Sequence, residues 1–199
     1  MADDKTALLE KIGEEILNLE ESPLYSYRKE NNYSFVLGEG NVEAKIMFIG
    51  EAPGEKEAKT GRPFVGASGR FLNELLQSIG MNREDIYITN IVKDRPPNNR
   101  NPSVKEIRLY QPFLLRQIEI IRPEVIAPLG RFSMEFILNQ FDAPEKGRKI
   151  SELHGKQLKG TAPYGEIIIV PLYHPAVALY SVDSKQTLVN DFQILKQFV

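Results

Sequence analysis

"AKIMFIGEAPGEKEAKTGRPFVGASGRFLNELLQSIG" (44–80) places an unbroken apolar run, a glycine-rich passage and an amphipathic segment end to end. "AKIMFIG" (44–50) has the length and apolar continuity of a strand buried on both faces. "SGRFLNELLQSIG" (68–80) has helical spacing and closes on Gly80, as helices do. The alternation repeats through "DIYITNIV" (85–92), "SVKEIRLYQPFLLRQIEII" (103–121), "PEVIAPLG" (123–130), "RFSMEFILNQF" (131–141), "GEIIIVPLYHP" (165–175) and "SKQTLVNDFQILKQFV" (184–199). Near-continuous apolar strands separated by helices specify an α/β fold with a parallel sheet covered on both faces.

The flanking pattern fits one domain over 1–199. Leu8, Ile12, Ile16 and Leu19 predict a helix over 5–20, and 22–44 reads as an irregular aromatic segment packed, with that helix, on the rest. Ser103 and Glu106 form a capping-box signature, while Pro112 predicts a kink or split in the helix that follows. The stretch 142–164 is loop-like, with a short extra strand expected near "HGKQLK" (154–159).

Composition narrows the function classes. Hydrophobic residues make up 42% and charged residues 26%, the balance of a globular domain, and the net charge of −2 does not advertise nucleic acid. Basic residues nevertheless gather in two loops, with Lys93, Arg95 and Arg100 in one and Lys56, Lys59 and Arg62 in the other. The chain has no cysteine and two histidines, which excludes disulfides, thiolate catalysis and cysteine-ligated metal sites. An acidic N-terminal stretch unlike a signal peptide, and no apolar run of membrane length, lead us to expect a cytoplasmic protein.

Open parallel sheets bind ligands beyond the carboxyl ends of their strands. That rule brings Gly50, Glu51, Asn90, Gly130 and His174 toward one edge. "GEAPGEKEAKTGRPFVGASG" (50–69) has five glycines but neither phosphate-loop nor dinucleotide spacing. Asn90 pairs a donor with an acceptor, as a nucleobase edge requires, and Phe64 offers a ring for stacking. Each also has a structural reading: a satisfied loop-holding Asn, a core Phe, and for His174 a packing role.

"GEAPGEKEAKTGRPFVGASG", "YITNIVKDRPPNNRNPS", "PEVIAPLG" and "YHPA", in this order, resemble the family 4 uracil-DNA glycosylases, over a span from about residue 35 to the last helix. The resemblance implies a three-layer α/β/α sandwich around a four-stranded parallel sheet. It also implies excision of flipped-out uracil from DNA, leaving an abasic site. By motif position His174 would bond uracil O2, aided by the Ala52 amide. Phe64 would stack on the base, Asn90 would read the N3–H and O4 edge, and Glu51 would place the attacking water. Glu57 would crowd the C5 side, within a pocket that includes Gly50. Leu179 would wedge into the vacated stack, with Tyr180 standing where relatives carry a basic residue. Lys93, Arg95, Arg100 and Arg62 would meet DNA phosphates. The implied partners are uracil-containing DNA and uracil as product, for a monomer without membrane contact.

The cysteines are the departure. Such enzymes carry a [4Fe–4S] cluster on four cysteines, and the matching positions here hold Asp94, Tyr110 and an N-terminal pair near Ser22 and Pro23. None supplies a thiolate, so no cluster or other cofactor is expected. Tyr25, Tyr27, Tyr33 and Tyr110 are expected to fill the volume, with Asp94 paired to a nearby Arg or Lys. A DNA- or nucleotide-binding module that keeps the pocket without its chemistry is the main alternative. A covalent uracil trap is disfavoured because "KDRPPNNRNPS" (93–103) lacks a histidine, and a metal-dependent nuclease because no acidic or histidine cluster accompanies the strand ends.

Overall fold

A computed structural model describes residues 2–199, with side chains from Asp4 onward. Its strands are β1 (Glu39–Gly40), β2 (Ile46–Gly50), β3 (Tyr87–Asn90), β4 (Val125–Pro128), β5 (Leu158–Ala162) and β6 (Gly165–Ile169). Its helices are α1 (Ala2–Leu17), α2 (Pro23–Glu30), α3 (Glu55–Thr60), α4 (Ala67–Ser78), α5 (Val104–Ile121), α6 (Arg131–Gln140), α7 (Ile150–Leu153) and α8 (Val182–Phe192). No helix among them is long and apolar enough to cross a membrane.

The strands form one sheet in the order β1-β3-β2-β4-β6-β5. The four central strands, β3-β2-β4-β6, are parallel, and the apolar, wholly buried β2 and β4 at the centre are those of strands covered on both faces. Two antiparallel strands extend this core to six: two-residue β1 beside β3, and β5 hairpinned onto β6. β5 overlaps only the last two residues of "HGKQLK", and β1 is too short to show any periodicity.

Alternation along the central strands divides the core in two. Met47 and Ile49 face one layer with Ile126, where Ile12 and Ile16 of α1, Leu114 and Ile118 of α5 and Ile137 of α6 cover them. Ile46 and Phe48 face the other with Val125 and Ala127, under Leu72 and Leu75 of α4 and Phe192 at the end of α8. Helices on both faces of the sheet make the three-layer α/β/α sandwich.

Three local expectations need correction. The segment 22–44 is not wholly irregular: Ser22 accepts from the Leu24 amide and caps α2, with Pro23 at its first position. Pro112 does not split the helix into two elements, since α5 runs unbroken over 18 residues. Pro112 and Arg108, whose carbonyl loses its partner, both lie on the exposed face, where water replaces the missing bond. The C-terminal helix stops at Phe192 and tightens into a 3-10 turn over Gln193–Phe198.

Candidate active site

The carboxyl ends of the parallel strands build a cavity of about 390 Å³ whose lining includes Ala52, Glu57, Phe64, Asn90 and His174. β2 and β3 run in register to Gly50 opposite Asn90. Beyond β4, the Gly130 amide donates to the Leu172 carbonyl at 2.8 Å, which brings the approach to His174 alongside. Three strand-end motifs far apart in sequence thus meet in one space.

Glycine at position 50 is a steric requirement. A Cβ there would lie 2.3 Å from Asn90 Oδ1 and 2.9 Å from Phe64 Cζ, so the bare backbone is what lets both side chains converge. The Asn90 carboxamide is buried and makes no hydrogen bond to protein among the described residues, which leaves its donor and acceptor for an occupant. Phe64 adopts a left-handed backbone (φ 49°), uncommon for an aromatic residue. Arg83 holds it there: Nη1 donates to the Phe64 carbonyl at 3.1 Å and Nη2 to the Pro63 carbonyl, while Glu39 on β1 pairs with the Arg83 guanidinium. Glu57, on α3, accepts the Val65 and Gly66 amides at 2.9 Å each and folds the same loop inward.

His174 caps the 3-10 turn Pro175–Leu179, and its Nδ1 accepts the Ala176 amide at 3.2 Å. Accepting at Nδ1 leaves the proton on Nε2 as a donor. Burial lowers the imidazole pKa to about 4, against a smaller opposing pull from Glu57, so the ring is neutral near pH 7. The ring lies 5.7 Å from that of Phe64, centroid to centroid. Glu51 lines an adjoining groove of about 200 Å³ that shares Ala52, Asn99 and His174 with the main cavity. Burial raises its carboxyl pKa while Arg131 opposes the rise.

The basic candidates divide. Lys93 is fully buried and hydrogen-bonded within the fold, so it is not the exposed phosphate contact that its sequence context predicts. Arg95 is also drawn inward: Nη1 donates to the Tyr33 hydroxyl at 2.6 Å and Nε to Asn99 Oδ1 at 2.8 Å. Its positive charge steadies the loop rather than facing solvent. Arg100 and Arg62 stay exposed at the surface while pairing with Glu106 and Glu39. Leu179 projects from the turn that His174 begins, and beside it Tyr180 is 88% exposed. Sequence reading missed Ser68 and Asn99 in the lining and Arg83 as the clamp on Phe64. The paired asparagines of "PPNNRNP" were a turn signal for Asn99, but nothing local marks Arg83.

The profile of the Uracil DNA glycosylase superfamily matches residues 37–195. The chain belongs to that superfamily. Among its relatives, the type-4 uracil-DNA glycosylase of Sulfurisphaera tokodaii is 43% identical over 190 residues, covering 95% of this chain and 84% of the relative. The type-4 enzyme of Archaeoglobus fulgidus is 43% identical over 93% of this chain and 90% of its own. That of Thermotoga maritima is 39% identical over 96% and 95%.

The glycosylase resemblance raises the question of an iron–sulfur cluster, and the residues here do not fit one. Ser22 and Asp94, at or near the matching positions, are joined through the hydroxyl of Tyr110, which stands at another. Tyr110 donates to Asp94 at 2.5 Å and lies 3.0 Å from the Ser22 hydroxyl. Arg28 Nη1 reaches both Asp94 oxygens at 3.1 Å, so a buried cation occupies the region. The same guanidinium donates to the Ile16 and Leu17 carbonyls at the end of α1. The expected pairing of Asp94 with an Arg is met by Arg28, and the tyrosines divide. Tyr110 is buried and Tyr25 flanks Arg28, whereas Tyr27 packs on Tyr33 toward Arg95. Among the described residues no group of three or more His, Cys, Asp or Glu side chains is arranged to hold a metal ion.

Proposed function

We infer that this chain is a uracil-DNA glycosylase: it takes a flipped-out deoxyuridine into the cavity and hydrolyses the N-glycosidic bond. Uracil leaves, and an abasic site remains for base excision repair. The observation that carries this reading is the unpaired Asn90 carboxamide, facing the same cavity as the Phe64 ring and the neutral His174, in a chain of this superfamily.

The chemistry follows from charge. Breaking C1′–N1 sends the bonding electrons into uracil and leaves the sugar carbon electron-poor. His174 Nε2–H donates to O2 as the negative charge grows, and a neutral donor already aimed there needs no reorganisation. Asn90 accepts from N3–H and donates to O4, a pairing that cytosine reverses. Phe64 stacks on the ring, and the Ala52 amide assists at O2. Glu51 positions the water that adds to C1′, and its carboxylate takes up the water's proton. Glu57 narrows the cavity on the C5 side, although its firm bonds to the Val65 and Gly66 amides give it a loop-shaping role as well. Leu179 enters the stack that the base vacates, and Arg62 and Arg100 approach phosphates.

In the same proposal the enzyme works as a monomer, since every side chain given a chemical role comes from this one chain, and it acts in the cytoplasm without a metal or organic cofactor. Incubation with a uracil-containing duplex followed by alkaline cleavage tests the reading. Strand scission by the wild type, lost in Asn90→Ala and His174→Ala, is expected. Binding without scission above those variants would make the chain a DNA-binding module instead.

A further inference from the structure

Lys93 is a lysine with no solvent exposure. Its Nζ lies 2.7 Å from Thr89 Oγ1, 2.7 Å from the Asn90 carbonyl and 2.5 Å from Gln117 Oε1. Each of these oxygens is committed to accepting. The Thr89 hydroxyl spends its proton on the Leu37 carbonyl at 2.7 Å. Gln117 Nε2 donates to that carbonyl at 2.9 Å and to the Tyr87 hydroxyl at 3.3 Å, which turns Oε1 toward the lysine. The Asn90 carbonyl has no proton to give. Three committed acceptors call for three N–H bonds, which an ammonium supplies and a neutral amine does not.

Among the described residues no carboxylate offsets that charge at hydrogen-bonding distance. Asp94, the next residue, turns to Arg28 and Tyr110 instead. Burial draws the Lys93 pKa well below the ordinary lysine value. The three accepting oxygens within 2.7 Å of Nζ are what call for the ammonium against that cost. A cation retained under these conditions is costly, and such cost is a marker of sites where function uses it.

The bond to Asn90 locates the use. Asn90 ends β3, and its side chain lines the cavity. Lys93 ties the carbonyl of that same residue to Thr89 on its own strand and to Gln117 on α5, from beneath the site. We propose that Lys93 is a positioning residue for base recognition: a buried ammonium tripod that fixes the Asn90 peptide, so that its carboxamide keeps its place against the flipped base. The proposal rests on the reading of Asn90 as the base-reading residue. Methionine matches the length of lysine without the donors, and glutamine or arginine does not reproduce a three-way apex, so no common side chain substitutes.

The test is the single-turnover rate constant of Lys93→Met on a U:G duplex at saturating enzyme, beside its affinity for a duplex with a non-hydrolysable 2′-fluoro-deoxyuridine. At saturation the rate constant reports folded molecules, so instability alone does not move it. Loss of the ammonium's hold is expected to lower the rate constant about thirtyfold, with duplex affinity changed less than about threefold. If Lys93→Met fails to fold, Thr89→Val, which keeps the shape and removes one acceptor, is expected to lower the rate constant about fourfold. A wild-type rate constant in either variant, beside an inactive Asn90→Ala, overturns the inference about Lys93 alone. A wild-type rate in Asn90→Ala overturns the base-reading assignment and this inference with it.

Discussion

Replacing Arg28 with Met would remove the cation from the buried network that joins α1, α2, α5 and the loop after β3. Arg28 and Asp94 are 3% and 1% exposed, so neither charge is rescued by water when the other is removed. Breaking a buried pair in this way costs about 3–5 kcal/mol, largely from the stranded partner. For a domain of this size about 2–4 °C of melting temperature goes with each kcal/mol, giving an expected fall of roughly 6–20 °C. Circular dichroism melts measure it. The loss should also depend on pH. Burial already raises the Asp94 carboxyl above its usual range, and Arg28 opposes that rise. Without Arg28 the folded-state value climbs further, so the variant's folded form favours the protonated acid. Its stability relative to wild type is best below the unfolded Asp value, near 3.8, and is lost as pH rises through the raised folded value. The melting gap should therefore widen from pH 4 to pH 7. In the Arg28→Met, Asp94→Leu double variant much of the loss should be recovered, because no lone charge remains. A shift under about 3 °C in the single variant, or simple additivity in the double, would refute this assignment of the network.

Other consequences are read at the site. Gly50→Ala drives a methyl into Asn90 and Phe64 and should lower the single-turnover rate constant by about a hundredfold or more, with the fold kept by circular dichroism. The His174 imidazole should remain the neutral Nε2–H tautomer in nitrogen-15 spectra from pH 7 down to pH 5.5, since its pKa is lowered to about 4; titration near 6.5 would contradict its burial. Leu179→Ala, at an exposed position, should leave the melting temperature unchanged. It should weaken excision from duplex DNA more than from single strands, where no stack has to be opened.

The parallel core was legible because β2 and β4 are apolar throughout, and β3, equally buried, breaks the pattern only at Thr89 and Asn90. α2 and α3 were not: eight and six residues give too few turns for a periodic pattern, although Ser22-Pro23 was an available capping signal. Asn90 could be singled out as a polar residue at a strand end, a position with a topological meaning, and His174 as one on the chain leaving β6, which stops at Ile169, five residues before it and sooner than the apolar run implies. Lys93 was misread because a charge in a loop-like sequence is ordinarily solvated. One of the partners that receive it inside the fold, Gln117, stands 24 residues away on another element. Arg28 and Asp94, 66 residues apart, show the same limit, since sequence proximity carries no information about a pair the fold creates.

The most direct measurement is uracil release by protein purified in the presence of chelator, with its iron content determined on the same sample. Free uracil detected by mass spectrometry at a rate independent of iron, and absent with Asn90→Ala, is the result expected of a glycosylase whose Ser22–Tyr110–Asp94–Arg28 network fills the region where the family resemblance implied cluster ligands. No uracil from iron-free protein, or release that rises with bound iron, would contradict it.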